Sequence, residues 1–387
     1  MLTKKLFHRF ALIVAICRAT GATPFFWDRH RHRLFRGKKA RRKTRRWLFF
    51  QTIFLIYLVI RTVYVRKYRR SDLSSFNFWL STVFTISIHL VAFIPFSVFD
   101  ASFAQLVNTW IYFMEKYQRK WYPHFNPNTD FSDHNLLAFI HFEMLATFAA
   151  WSCTTWYYFV YPLSPPFPND LLPKNYHQSW LFYMVIGSVY LLITMLTWTT
   201  MLMVLTTIFI YVFYTRPMIM KDLRGGNGFI QYKNLSSTYR TFEIMHMIML
   251  ENLAWTLVPF QVLIFQYGLI CNHTLILNWK TMDLTTTGFL VSQFLMFQGL
   301  YVLYLSFGGW FYKNSVRILE GWKALKLKNA IEMKCVAKFR RSCRPMYIGY
   351  PGVFKVRKVS VLTYCQGLLT GTSRLLVGLR GIGTFRM

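Results

Sequence analysis

The chain has 387 residues, 54% of them hydrophobic and 19% aromatic, yet it carries a formal net charge of +32. Apolar content and positive charge at those levels together exclude an ordinary soluble globular domain. A bilayer that holds the apolar runs, with Lys and Arg kept between them, accommodates both.

In chain order, Lys4, Lys5 and Arg9 precede an apolar run at 10–17, which has the outline of a signal peptide. Arg18 cuts the run short, and cleavage would leave the basic block at 29–46 on the wrong flank of the first span, so the segment is expected to stay. Residues 1–46 are read as a basic cytoplasmic segment. Beside a membrane span, its charge points to anionic lipid as partner, not nucleic acid.

Runs long enough to cross a bilayer, roughly 17–25 residues, then follow at 47–65, 78–98, 136–160, 180–214, 248–270, 284–307 and 359–379. That predicts an all-α polytopic membrane protein with seven transmembrane helices. The fourth run is longer than one span needs and is read as one long helix. The last is interrupted by Gly367, Gly371, Ser373, Arg374 and Gly378, which weakens its hydropathy.

Orientation follows from Lys and Arg. With the N-terminus cytoplasmic and the C-terminus extracellular, 36 of the 46 lie on the inner side. Arg66, Lys67, Arg69 and Arg70 form an outer cluster that runs against this rule. The sequon Asn272-His273-Thr274 falls in the loop expected outside after the fifth span, making Asn272 a glycosylation candidate.

The cysteines show no metal spacing, and no structural disulfide is expected. His89 sits mid-span, and His141 with Glu143 and His246 with Glu251 lie near inner helix ends. Membrane metalloenzymes need repeated HxxxH or HExxH spacing, which is absent, as are phosphate-loop, dinucleotide and nucleophile-elbow patterns. These residues are therefore expected to hydrogen-bond between helices, and no catalytic residue, metal or cofactor is expected.

Two stretches carry a resemblance. Residues 11–27 form a short amphipathic stretch leading to Gly21 and then Pro24-Phe25; residues 339–345 end an Arg-rich turn at Pro345, followed by Gly352, Phe354 and the last helix, which opens Thr363-Tyr364. In both, and in overall layout, the chain resembles the seven-transmembrane chemoreceptors of insects and other arthropods, the gustatory and odorant receptors, and is nearer the gustatory. It departs from the gustatory signature where Thr370-Gly371 stands in place of Gln-Phe.

The resemblance implies a plasma-membrane, ligand-gated cation channel of four like or related subunits, opened by small organic molecules. Residues 47–307 would be a six-helix ligand-binding bundle, 308–358 a cytoplasmic anchor linker and 359–387 the pore-lining helix and tail. Between 315 and 337, Ile318, Leu319, Trp322, Leu325 and Leu327 among charged residues suit a helix between subunits. Gly367, Gly371 and Ser373 suit close helix approach at a pore. Leu375 and Leu376 would stand near an apolar constriction closing by dewetting, with Gly378 beside it and Arg374 snorkelling to the interface. Trp151, Tyr183, Tyr190, Phe289 and Gln293 occupy depths suited to the ligand pocket. A G-protein-coupled receptor would need the opposite orientation, and a transporter or membrane enzyme would show repeated halves or a polar constellation.

Overall fold

The computed structural model describes residues 3–68, 73–122, 132–164, 167–171, 173, 179–220, 223, 232–325, 329–350 and 352–384. In chain order these form α1 (Lys4–Thr20), β1 (Phe25–Asp28), β2 (Arg33–Arg36), α2 (Lys38–Tyr68), α3 (Leu73–Ser97), α4 (Asp100–Trp121), α5 (Ser132–Val160), a 3-10 turn (Pro168–Leu171), α6 (Trp180–Met220), α7 (Tyr232–Asn278), α8 (Leu284–Gly321), α9 (Ala330–Ser342), β3 (Gly349–Tyr350), β4 (Phe354–Lys355) and α10 (Ser360–Thr384). The fold is helical apart from two short antiparallel hairpins.

Among the described residues, α2, α3, α5, α6, α7 and α8 are long and apolar enough to cross a membrane, which makes this a multi-pass membrane protein. The glycine-interrupted α10 is a 25-residue helix that falls outside that set. The fourth apolar run is indeed part of one helix, α6, of 41 residues. With α7 at 47 residues, about 70 Å at 1.5 Å per residue, these helices outrun a hydrocarbon core of about 30 Å. They continue into a basal end, where α1, the first hairpin, α4 and α9 pack around them.

Several basal elements differ from expectation. The signal-like segment is a docked helix: Thr3 caps α1 by accepting from the Leu6 N–H, and Phe10, Ile13, Val14 and Cys17 are buried. Its end turns at Gly21, φ +95°, where a Cβ would stand 2.6 Å from the Trp47 ring, so both conformation and space exclude a side chain. Between the second and third spans lies α4, whose Phe103, Leu106, Val107, Trp110, Ile111, Met114 and Tyr117 form one buried stripe. Buried Asp100 at its start pairs with Arg36 and Arg41 at 3.4 and 3.2 Å, and Glu115 meets His32 and Arg33. Those pairs fasten the N-terminal segment to the bundle.

The linker is also built differently. The sixth span does not stop before Gly308; α8 continues to Gly321. Gly308-Gly309 is a landing site, because a Cβ on Gly308 would stand 2.7 Å from Val356 and one on Gly309 2.8 Å from the backbone of Arg357 and Lys358. No single helix joins 315 to 337. Ile318 and Trp322 are buried within this chain, the Trp322 indole donating to the Leu223 carbonyl at 2.7 Å, and a new helix starts after the Asn329 cap.

Of the cluster after the first span, the Arg66 guanidinium lies 5.3 Å over the Phe76 ring and the Lys67 ammonium 5.1 Å over Tyr68. Arg69 and Arg70 lie outside the described residues. Arg61, an Arg within a span, is explained by Asp170 of the 3-10 turn, which it meets at 2.5 Å.

Candidate functional site

At the apical end, opposite the N-terminal segment, α2, α3, α5, α6, α7 and α8 enclose a narrow pocket. Aromatic side chains dominate its wall: Phe78 and Trp79 from α3, Tyr157 from α5, Tyr190 and Trp198 from α6, Tyr267 from α7 and Phe289 from α8. The rings interlock, with Phe78 stacked on Tyr157 at 4.6 Å and Phe289 tilted against Tyr157 at 5.2 Å. Polar chemistry comes from threonines and Gln293. Thr154 receives both the Trp198 indole N–H at 3.3 Å and the Gln293 amide N–H at 3.4 Å, while the buried Gln293 Oε1 has no partner in the structure. The pocket wall thus offers an orphaned acceptor in an aromatic cage, a combination suited to a flat molecule bearing a hydroxyl.

Three of the five expected pocket residues, Tyr190, Phe289 and Gln293, line this space. Trp151 and Tyr183 do not. Trp151 packs beside Phe148 with centroids 5.6 Å apart, and Tyr183 stacks on Tyr158 at 5.6 Å while donating to the Phe159 carbonyl. Depth along a helix was readable from sequence, but the facing direction in helices with little amphipathic contrast was not.

Behind Trp198 and Tyr267 of the pocket wall lies a layer of rings. His89 meets Trp198 edge-on at 5.5 Å and Phe297 at 6.0 Å, and Tyr267 meets Phe297 at 5.2 Å. His89 Nδ1 lies 2.6 Å from the Thr85 carbonyl, so it carries the proton, and Nε2 is left as an unpartnered acceptor. Glu143 is buried and accepts from the Thr206 hydroxyl at 3.1 Å, an inter-helix role. Among the described residues no three His, Cys, Asp or Glu side chains gather to hold a metal.

Behind the pocket stands α10, held by contacts that the sequence did not suggest. The Tyr364 hydroxyl donates to Gln298 Oε1, and Gln298 Nε2 donates to the Ile264 carbonyl at 3.2 Å, so one amide joins α8, α7 and α10. Gly268 makes room for it: a Cβ there would stand 2.8 Å from Gln298 Nε2 and 2.9 Å from Leu368. Tyr364→Phe leaves the buried Gln298 oxygen unpaired and is expected to cost about 1–3 kcal/mol. In a double-mutant cycle with Gln298→Leu, thermal melts of the purified protein should show the two losses to be strongly non-additive; simple additivity would mean the bond carries no weight.

Gly367 and Gly371 serve this same contact, facing α7 of the same chain: a Cβ on Gly367 would stand 3.3 Å from the Phe265 ring and one on Gly371 2.7 Å from Leu269. Leu375 also turns inward and packs on the apical cluster. Ser373, Arg374 and Gly378 are exposed, Leu376 is half-buried, and Gly378 has open space where a side chain would go. Thr363 faces outward and Tyr364 inward. The sequon expected in an outer loop sits inside α7, with the Asn272 amide donating to Thr372 of α10 at 3.2 Å. It is a helix-packing residue, and the expectation of a glycan there is withdrawn.

The strap leading to α10 is tied down at three points. Tyr239 donates to the Arg344 carbonyl at 2.9 Å, the Met346 N–H donates to Ser315 at 2.7 Å, and His246 reaches the Tyr347 carbonyl at 2.9 Å. Pro345 lies within this strap, Gly352 turns it at φ +80° and Phe354 lies in β4. His246 is fully committed: Nε2–H donates to Tyr347, so Nδ1 accepts from the Tyr211 hydroxyl at 2.6 Å.

Burial pushes the His246 pKa down to about 4, with the Tyr347 carbonyl pulling weakly the other way. The unfolded chain takes up this proton below about pH 6.5 while the folded chain does not. The stabilisation is therefore complete above that pH and is lost as pH falls toward 4, amounting to ~2 kcal/mol at pH 5. Melting temperatures between pH 7 and 5 should fall more steeply for the native chain than for His246→Gln.

No known family model matches the chain, and no curated protein sequence does. Solved structures do match: the insect olfactory receptor OR5 from Machilis hrabei in complex with eugenol superposes with a TM-score of 0.67 at 12% identity, covering 96% of this chain and 98% of that one. A second structure of the same receptor gives 0.66 at 12% identity over the same shares. From the N-terminal helix to α10, the chain has the fold of an insect olfactory receptor.

Proposed function

We propose that the protein is a chemosensory receptor of the insect type, acting in the plasma membrane as a ligand-gated cation channel of four like or related subunits. The observation that carries this reading is the whole-chain likeness to an olfactory receptor, joined to a pocket that communicates with the last helix. Phe297 packs on Trp198 of the pocket wall at 5.7 Å, and the next residue, Gln298, holds Tyr364 of α10. Ligand-driven movement of α8 is passed to α10 at Tyr364, which meets both Gln298 and the Tyr301 ring.

The ligands are small aromatic molecules with a hydroxyl, for which Gln293 Oε1 is the receiving atom; eugenol, present in the similar receptor, is of this class. Thr363-Tyr364 favours the gustatory branch of the family. The N-terminus is placed in the cytoplasm on the charge count, because Asn272 no longer supports orientation. The basic N-terminal segment then meets anionic inner-leaflet lipid.

An epitope tag ahead of Met1 should become accessible to antibody only after permeabilisation, and eugenol or related phenols should evoke an inward cation current in cells expressing the chain. Gln293→Leu should raise the half-maximal concentration about tenfold, the usual effect of losing a hydrogen bond to a buried partner. Staining of intact cells would reverse the orientation and favour a G-protein-coupled receptor.

A further inference from the structure

Beneath the ring layer of His89, Trp198 and Phe297 lies a second space, which shares no lining residue with the apical pocket. It consists of two adjoining narrow, apolar lobes walled by α3, α4, α6, α7 and α8. The lobes meet along Phe103, Thr207, Ile208, Leu253, Leu257 and Tyr304. Met201, Met245 and Met249 also wall it, and their unbranched side chains let such a space reshape around an occupant.

The polar groups in this wall divide into two kinds. Thr207 and Thr256 donate to carbonyls of their own helices, and Tyr211 donates to His246. Tyr301 and Tyr304 do not follow them. One turn apart on α8, with stacked rings 5.8 Å between centroids, both have buried hydroxyls without a partner in the structure. Tyr301 is 2% exposed. Two neighbouring buried phenols left unpaired beside an apolar space are costly as structure and intelligible as donors awaiting an acceptor.

We propose that this deep chamber is a second small-molecule site, for a lipophilic molecule carrying a single hydrogen-bond-accepting oxygen, such as a ketone, ester or ether, received by the hydroxyls of Tyr301 and Tyr304. Its chemistry is the reverse of the apical pocket, where the orphaned atom is an acceptor. The Tyr301 ring also lies 4.8 Å from the Tyr364 ring of α10, so an occupant would press on the helix that the apical ligand reaches through Gln298. The site stands independently of channel activity.

Benzophenone is a suitable probe, being an apolar ketone that inserts into nearby C–H bonds under near-ultraviolet light. Purified full-length protein in dodecyl maltoside would be illuminated with it and the labelled residues mapped by mass spectrometry. Labelling should concentrate on Met249, Leu253 and Leu257 and fall at least fivefold in the Tyr301→Phe/Tyr304→Phe double variant, with label at the apical pocket unchanged. Those substitutions remove only hydroxyls, and Leu253→Trp, which fills the junction of the lobes, should abolish chamber label independently. Added phosphatidylcholine separates two sources of the ligand: suppression of chamber label identifies a lipid ester as the occupant, and persistence identifies a small molecule. Label confined to the apical pocket or to bilayer-facing side chains, or undiminished in the double phenylalanine variant, would overturn the proposal.

Discussion

Replacing Gly309 with alanine is expected to unseat the strap that delivers α10, lowering stability by about 3 kcal/mol and abolishing ligand-evoked current. A single methyl group suffices because its neighbours are main-chain atoms: the added Cβ would stand 2.8 Å from the carbonyl carbon and oxygen of Arg357 and from the Lys358 Cα. A side chain could rotate away, but this backbone is fixed by the Val356 N–H, which donates to the Ile348 carbonyl, and by the Ser360 hydroxyl, which accepts from the Arg357 N–H. The strap must lift off α8. Gly299→Ala, one exposed position on the same helix where nothing lies within 4 Å of the new Cβ, should instead gain up to about 1 kcal/mol from helix propensity. Thermal melts of the two purified variants check the contrast, with protease sensitivity at Arg357 and Lys358 as a second readout. Equal melting temperatures would mean that the strap is not docked as described.

That glycine pair shows where sequence reading stopped. Gly308-Gly309 after an apolar run reads as the end of a span, since glycine weakens a helix and nothing local reveals that another segment will lie on it. The spans themselves were legible, because apolar runs of bilayer length have little other use. α4 was not, because its apolar stripe is interleaved with Asn108, Glu115 and Lys116 and never forms a run; it becomes visible only when read at helical period.

In the pocket, Tyr190, Phe289 and Gln293 were reachable from depth alone. The inward-facing Thr154, Tyr157 and Trp198 were not, because α5 and α6 are apolar on nearly every side and give no clue to the face they bury. Gln298 was the most informative omission. A glutamine in an apolar span that ends buried with both amide atoms bonded is a sequence-level signal, an expensive group whose partner should be sought. Its partner, Tyr364, had been noticed only as part of a family signature.

The facing direction of α10 leads to the second large expected effect. If the proposed channel reading holds, Val377→Asn should produce a standing leak, with holding current at least tenfold above that of the native chain, whereas Leu375→Asn should mainly destabilise the fold, by about 2–4 kcal/mol. Side chains at 362, 366, 369, 373 and 377 recur every three or four residues and so share one face. Leu369 is 70% exposed and Val377 74%, although both lie on a helix whose opposite side is packed tightly on α7 and α8. Leu375 is on that packed side, with Tyr364, Leu368 and Gly371.

If four such helices surround the proposed pore, the exposed row is what they present to the lumen and to each other. An apolar ring there closes by expelling water, and an amide on each subunit would rewet it. The two variants separate pore lining from helix packing: leak with normal melting from Val377→Asn, and lowered melting without leak from Leu375→Asn. The reverse pairing would place Leu375 in the constriction and require α10 to turn by about half a rotation in the assembled channel, breaking the Tyr364–Gln298 bond as it did so.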